Sequence, residues 1–213
     1  MSLLIPNSTP AERRRGAIYS ELFESNQNVL ANNVVVTDVS VSDNKGTFAV
    51  STSKLQPYLD FDGTGDITVM ARINIASFGG ANAGRIIDNG KLRFVVFSSS
   101  SRLAATSDGS ATNVYSGNNS ISLNTDYHVA ITRTSAGVMN FYVDGVLSGT
   151  ANQASGTPEA GSATLTIGND SGSTREFDGT MSEYKIFNKI LTAQEISDIL
   201  LSFEYISSSI SDY

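Results

Sequence analysis

Tyr127-His128-Val129-Ala130-Ile131-Thr132, Ser135-Ala136-Gly137 and Met139-Asn140-Phe141-Tyr142-Val143-Asp144-Gly145-Val146 follow one another with almost no spacer. In the first run Tyr127, Val129 and Ile131 alternate with His128, Ala130 and Thr132; in the last, Met139, Phe141 and Val143 alternate with Asn140 and Tyr142. A period of two places each set on one side of a β-strand. Asp144-Gly145 between alternating residues is the strongest short-range sign of a hairpin, because both central positions of such a turn need positive φ. Ser135-Ala136-Gly137 joins the preceding pair in the same way.

The same period runs outward from this hairpin. Ile67, Val69, Ala71, Ile73 and Ile75 share one face, and Thr68, Met70, Arg72 and Asn74 the other. Val35, Val39 and Val41 are read as one face of a run whose other face holds Val34, Val36, Asp38 and Ser40. Leu92-Arg93-Phe94-Val95-Val96-Phe97 reads as a strand buried on both sides, with Asp88-Asn89-Gly90 as the turn before it. Leu165 and Ile167 oppose Thr164 and Thr166, and Ser182, Tyr184 and Ile186 close the series. Roughly a dozen short strands with turn residues about every 8–12 positions predict an all-β, two-sheet antiparallel jelly-roll sandwich. No helical pattern lies between strands, which argues against parallel βαβ architecture.

Two helix starts flank the strands. Thr9-Pro10-Ala11-Glu12 is a capping box with Pro at the first helical position. A helix is expected from there to about Ser25, with Ala17, Ile18, Leu22 and Phe23 as its apolar stripe. Thr192-Ala193-Gln194-Glu195 is a second capping box, followed by Ile196, Ile199, Leu200 and Phe203 at helical spacing. The expected organisation is an N-terminal helical arm over residues 1–30 and a jelly roll over 31–213. A C-terminal helix over 192–206 is expected to pack on one edge of it.

Of the 213 residues, 21 are acidic and 14 basic, for a net charge of −7. Nucleic acid and anionic membrane call for a cationic face, so neither is the expected main partner. No apolar run approaches the ~20 residues of a membrane-spanning helix, so no membrane insertion is expected. Cysteine is absent, which excludes disulfide scaffolds, thiolate metal sites and thiol nucleophiles. The single histidine excludes a multi-histidine metal centre.

Six stretches in order carry a family resemblance: Tyr58-Leu59-Asp60-Phe61-Asp62-Gly63; Gly90-Lys91-Leu92-Arg93-Phe94; Leu123-Asn124-Thr125-Asp126-Tyr127-His128-Val129-Ala130; Phe141-Tyr142-Val143-Asp144-Gly145; Leu165-Thr166-Ile167-Gly168-Asn169; and Phe177-Asp178-Gly179-Thr180-Met181-Ser182-Glu183-Tyr184-Lys185-Ile186-Phe187-Asn188. Together they resemble the laminin-G-like, concanavalin A-like lectin family over about Val34 to Leu201. The resemblance implies a binding module for glycans or proteins, in some members through calcium. It departs from the family at Met70-Ala71-Arg72 and at Tyr127, where Trp is usual and aromatic sugar stacking would be built.

Candidate sites follow from residue types. The polar loops offer Asp108, Asn113, Tyr115, Asn118, Asn169 and Asp170 as hydrogen-bonding partners for sugar hydroxyls. Asp60-Phe61-Asp62-Gly63-Thr64-Gly65-Asp66 imitates the start of an EF-hand loop, but Ala71 stands where the bidentate Glu is required. A looser calcium site at Asp62 and Asp66 is the alternative to no cofactor at all. Arg13, Arg14 and Arg15, with Ile18, Leu22 and Phe23, form a candidate docking face for a neighbouring subunit. His128 lacks a nucleophile elbow, and Glu176-Phe177-Asp178-Gly179-Thr180 lacks the third acid of a glycosidase strand. No enzymatic activity is therefore expected.

These readings add up to a structural or adhesion module of a larger assembly. The resemblance points to a phage or viral particle component, such as a capsid decoration, tail or fibre protein, located in a virion assembled in the host cytoplasm. Its partners would be other structural subunits, or itself as a homo-oligomer, and host glycans. The alternative is a free carbohydrate-binding lectin, cytoplasmic or secreted.

Overall fold

Alternation along the strands divides the apolar residues between two layers. The computed structural model describes residues 17–22, 34–42, 45–57, 59, 61–108 and 113–210, by backbone alone at 17–22 and 202–210. In chain order the strands are β1 (Ala17–Leu22), β2 (Val34–Thr37), β3 (Val39–Ser42), β4 (Lys45–Phe48), β5 (Lys54–Pro57), β6 (Ile67–Ser77), β7 (Arg85–Asp88) and β8 (Arg93–Phe97). They continue as β9 (Arg102–Thr106), β10 (Val114–Tyr115), β11 (Asp126–Arg133), β12 (Val138–Val143), β13 (Val146–Leu147), β14 (Gln153–Ala154), β15 (Thr166–Ile167) and β16 (Asp178–Phe187), and the helix α1 (Ala193–Ile210) follows.

A nine-stranded sheet runs β13-β12-β11-β6-β16-β4-β3, with β1 added on β16 and β14 on β12. A seven-stranded sheet runs β10-β9-β8-β7-β15-β5-β2. Every pairing among the described residues is antiparallel. Val69, Ile73, Ile131 and Phe141 meet Leu55, Ile87, Phe94 and Leu103 in the core between the sheets. Phe94 and Phe141 bridge the layers with ring centroids 6.3 Å apart. The Asp144-Gly145 turn has φ of 48° and 76°, the positive pair a two-residue hairpin requires.

Three expectations about strands change. First, the run from Val34 to Ser42 is two strands in different sheets. Asp38 takes φ 49° between them, which shifts the facing by one residue. Val34 and Val36 therefore face the core along with Val39 and Val41, and Val35 is 41% exposed. Second, a register shift between Met181 and Glu183 puts Met181, not Ser182, on the core face with Tyr184 and Ile186.

Third, Ala17–Leu22 is a strand and not part of a helix. β4 covers only Gly179 to Met181 of β16, which leaves the flank from Glu183 to Phe187 with unpaired backbone groups. β1 takes that flank. A short isolated helix is marginal in water, whereas a strand on an open edge satisfies both partners' backbones. Ile18 falls at the register shift in β1 and Leu22 lies opposite Glu183. Arg13, Arg14, Arg15 and Phe23 lie outside the described residues.

The C-terminal helix starts where its capping box predicts. The Glu195 amide donates to Thr192 Oγ1 at 3.1 Å, and the Thr192 amide donates to Glu195 Oε2 at 2.8 Å. The helix lies on the outer face of the nine-stranded sheet, not on its edge: Leu191, Ile196 and Ile199 pack with Met70, Ala130, Tyr142 and Phe187. The second face of β6 is apolar at Met70 for this reason. Thr68 anchors the lead-in segment, donating to the Lys189 carbonyl and accepting from the Leu191 amide.

Beside this apolar patch the same face buries a polar row. His128 lies opposite Arg72, and Arg72 opposite Glu183. His128 and Glu183 are each 2% exposed and Lys185 is fully buried, ion-paired with Glu183. Neither ring nitrogen of His128 has a hydrogen-bond partner. Burial, then the Arg72 and Lys185 charges, push its pKa from 6.5 down to about 3.

Two predictions follow. Ile73→Ala or Phe141→Ala should cost about 2–5 kcal/mol in urea denaturation; a loss below about 1 kcal/mol at both would contradict their inward placement. The unfolded chain protonates His128 as pH falls below 6.5, and the native chain resists until about 3. The stability this residue contributes is complete above pH 6.5 and drains away as pH falls through that window. The lowered carboxylates, such as Glu195, act only below their ordinary 4.5. His128→Leu should therefore flatten the decline of Tm between pH 6.5 and 4.5, and an unchanged slope would rule the mechanism out.

Candidate functional site

Val114, Leu103, Phe94 and Val96 point into the core, so their strand neighbours point outward from the seven-stranded sheet. At its β10 edge this places Tyr115, Arg102 and Phe97 together. The Phe97 and Tyr115 ring centroids are 5.9 Å apart with planes tilted by 32°. The Arg102 guanidinium carbon lies 3.7 Å above the Tyr115 ring centroid, a cation–π contact, and Nη1 donates to Asn118 Oδ1 at 3.0 Å. The Tyr115 backbone is closed off by Gln153 of β14, which donates to its carbonyl at 2.7 Å and accepts from its amide at 3.1 Å. That side chain also ties the two sheets together.

Ladder register extends this cluster across the sheet. Tyr115 lies opposite Ala104, Ala104 opposite Val95, and Val95 opposite Arg85. Thr106 lies opposite Arg93, and Arg93 opposite Asp88. Ala104 and Thr106 are fully buried and Val95 is 4% exposed, though all three are on the outer face. They form a floor walled by two aromatic rings and three arginines. Asp88 accepts from Arg85 Nε at 2.9 Å, with Arg93 Nε 3.8 Å away. Burial lowers the Arg85 pKa, and Asp88 works against that effect.

The residues chosen from sequence are only partly brought together. Tyr115 and Asn118 belong to the cluster just described. Asn113 precedes β10 and Asp108 follows β9, so both lie toward the opposite end of these two strands. Asp108 accepts from Thr106 Oγ1 at 3.0 Å. Asn169 is not a surface ligand residue. It is fully buried, its amide donates to the Ser51 and Ser53 carbonyls, and its oxygen accepts from the Asp170 and Arg175 amides. Asp170 accepts from the Thr174 amide and hydroxyl at 2.8 and 2.7 Å. Burial would raise the Asp170 pKa, but the Thr174 hydrogen bonds and the Arg85 and Arg175 charges outweigh it and lower it.

The Asp62 and Asp66 loop carries its own cation. Asp62 closes a turn by accepting from the Thr64 amide and hydroxyl, and Asp66 accepts from the Ser135 amide. The buried Arg133 guanidinium donates to the carbonyls of Gly63 and Gly65, groups that a loop-bound calcium would coordinate. Burial pulls Arg133 down to about 10 against the attraction of Asp66 and Asp62. Arg133 thus takes carbonyls that a cation would need, and among the described residues no three His, Asp or Glu side chains could jointly hold a metal.

Sequence reading missed Phe97, Arg102 and Arg93. Leu92 to Phe97 looked buried on both sides, yet Arg93 and Phe97, at the strand ends, are half-buried on the outer face. Alternation from Phe94 and Val96 was the signal for this placement. The pairing of Arg102 with Tyr115 depends on register between strands and has no signal in spacing.

Comparison with known proteins bears on this arrangement. The concanavalin A-like lectin/glucanases superfamily matches residues 28–197. None of the curated proteins matches. Among solved structures, a Trypanosoma rangeli sialidase is similar over 89% of this chain and 33% of its own, at 15% identity and a TM-score of 0.67. The same enzyme in complex with sialic acid is similar over 80% of this chain and 30% of its own, at 16% identity and a TM-score of 0.63. The binding domain of botulinum neurotoxin DC, in complex with rat synaptotagmin II, is similar over 88% of this chain and 52% of its own, at 16% identity and a TM-score of 0.64. The chain thus spans about a third of the sialidases it resembles. At these identities the likeness shows the fold alone. Similarity to part of an enzyme nevertheless overturns the expectation, drawn from missing motifs, that enzymatic activity is excluded; activity is not shown either. With most of its length matched and the two-sheet jelly roll in place, this chain belongs to the concanavalin A-like lectin/glucanases superfamily.

Proposed function

We propose that this chain is the glycan-binding module of a larger assembly, and that it binds through the outer face of its seven-stranded sheet around Tyr115. The observation that carries this reading is the cluster of Phe97, Tyr115 and Arg102 at the rim of a floor of buried small residues. Aromatic faces stack on the apolar face of a sugar ring, and a few fixed polar groups such as Asn118 orient its hydroxyls. This arrangement answers the missing tryptophans: the stacking surface lies on β8 and β10, not on β6 and β11 where the family resemblance located it.

In the wider reading the module belongs to a phage or viral particle and contacts neighbouring subunits as well as host glycans. Support for that setting is the laminin-G-like sequence resemblance. The free-lectin alternative uses the same face.

On a printed glycan array, Tyr115→Ala should lose at least tenfold in signal for every glycan the parent protein binds, with Tm unchanged. An unaltered binding pattern in that variant would show that the ligand sits elsewhere.

A further inference from the structure

The outer face of the seven-stranded sheet is cationic on an acidic chain. Lys54, Arg85, Arg93 and Arg102 project from β5, β7, β8 and β9, and Asp88 is the one carboxylate among the outward strand positions. Leu55, Phe94, Val96, Leu103, Val114 and Ile167 fix the facing by turning into the core. The whole chain carries −7. The loops at either end are acidic, with Asp170 and Glu176 beside Arg175, and Glu159 and Asp108 beside Lys91. The surplus positive charge therefore belongs to the sheet face itself.

The arginines are incompletely used. Asp88 is shared by Arg85 and Arg93, and Arg85 also faces Asp170, which leaves Arg93 with a share of one carboxylate. Arg102 meets an aromatic ring and a neutral amide. Arg93 Nε and Arg102 Nε are buried and have no hydrogen-bond partner. A guanidinium is a rigid fork matched to planar or tetrahedral oxyanions. Arg93 and Arg102 stand at opposite ends of paired β8 and β9, four residues apart along each strand, or roughly 13 Å. That span suits successive residues of an oligomer and exceeds a monosaccharide.

Resting on the reading of this face as the binding face, we propose that its ligand is an acidic oligosaccharide, carboxylated or sulfated. The two rings take a sugar face, and Arg93 and Arg102 take anionic groups on either side. An acidic peptide fits less well. Peptides gain affinity by adding a strand to an open edge, and here Gln153 occupies the Tyr115 amide and carbonyl. β7, β8 and β9 are interior strands with both neighbours in place.

The test is titration calorimetry of the full chain with three probes of matched length: oligogalacturonate, dextran sulfate and neutral dextran. The protein should bind at least one acidic probe tenfold or more tightly than dextran, and less tightly as NaCl rises from 50 to 300 mM. Preference between the two acidic probes then separates carboxylate from sulfate. The double variant Arg93→Gln/Arg102→Gln should lose at least tenfold for the acidic probe at unchanged Tm. Lys45→Gln, on the other sheet, should lose nothing. Equal affinity for dextran, or binding that survives the double variant yet is abolished by Tyr115→Ala, would overturn the acidic ligand and leave the binding face intact. An equal loss in Lys45→Gln would also overturn it, as unspecific charge attraction. Failure of the parent protein to bind either acidic probe would overturn the acidic ligand, while the Tyr115→Ala glycan array decides the binding face separately.

Discussion

β6 lies at the centre of the nine-stranded sheet, between β11 and β16, and both of its faces are covered. One face supplies Ile67, Val69, Ala71, Ile73 and Ile75 to the core between the sheets; the other supplies Met70 to the contact with α1. A slip of one residue against β11 or β16 would exchange these two sets and drive Arg72 into the core. The register of three strands is therefore fixed by what each face of β6 must touch. The C-terminal helix belongs to the same constraint, since without it Met70, Ala130, Tyr142 and Phe187 would form an apolar patch on the surface.

The row of Arg72, His128, Glu183 and Lys185 sits on this covered face and is energetically expensive. A buried ion pair gains Coulomb energy in low dielectric and loses hydration on both partners, so its net contribution is small or unfavourable. His128 contributes no hydrogen bond through its ring and is kept neutral between two cations. Its backbone does more: the amide donates to Asp144 Oδ1 at 2.8 Å and the carbonyl accepts from the Asp144 amide at 2.7 Å. The one histidine of the chain thus pins the hairpin through its main chain.

The seven-stranded sheet has a different economy. Its inner face completes the core, and among the described residues no helix lies over its outer face. Long arginine side chains and two aromatic rings stand at the register positions around the buried Ala104, Thr106 and Val95. Guanidinium stems can shield apolar surface while their heads stay in contact with solvent or ligand. The edge that would otherwise invite another strand is closed by Gln153, reaching across from the nine-stranded sheet.

Alternation, turn residues and capping boxes in the sequence were enough to determine the two-sheet antiparallel class, the Asp144-Gly145 hairpin, the inward set of β6 and the start of α1. Each of these is a local property, written within a few residues. Four features needed the folded chain. Asp38 splits one valine run between two sheets because a positive φ is visible only in the backbone. Ala17–Leu22 is compatible with either period, and the unpaired flank of β16 decided in favour of a strand. Asn169 and Asp62 look like ligand residues in sequence; in the fold Asn169 is saturated by internal partners and the Asp62 loop is filled by Arg133. The cluster of Phe97, Arg102 and Tyr115 is set by the register of β8, β9 and β10, and register is a relation between strands that spacing along one chain does not encode.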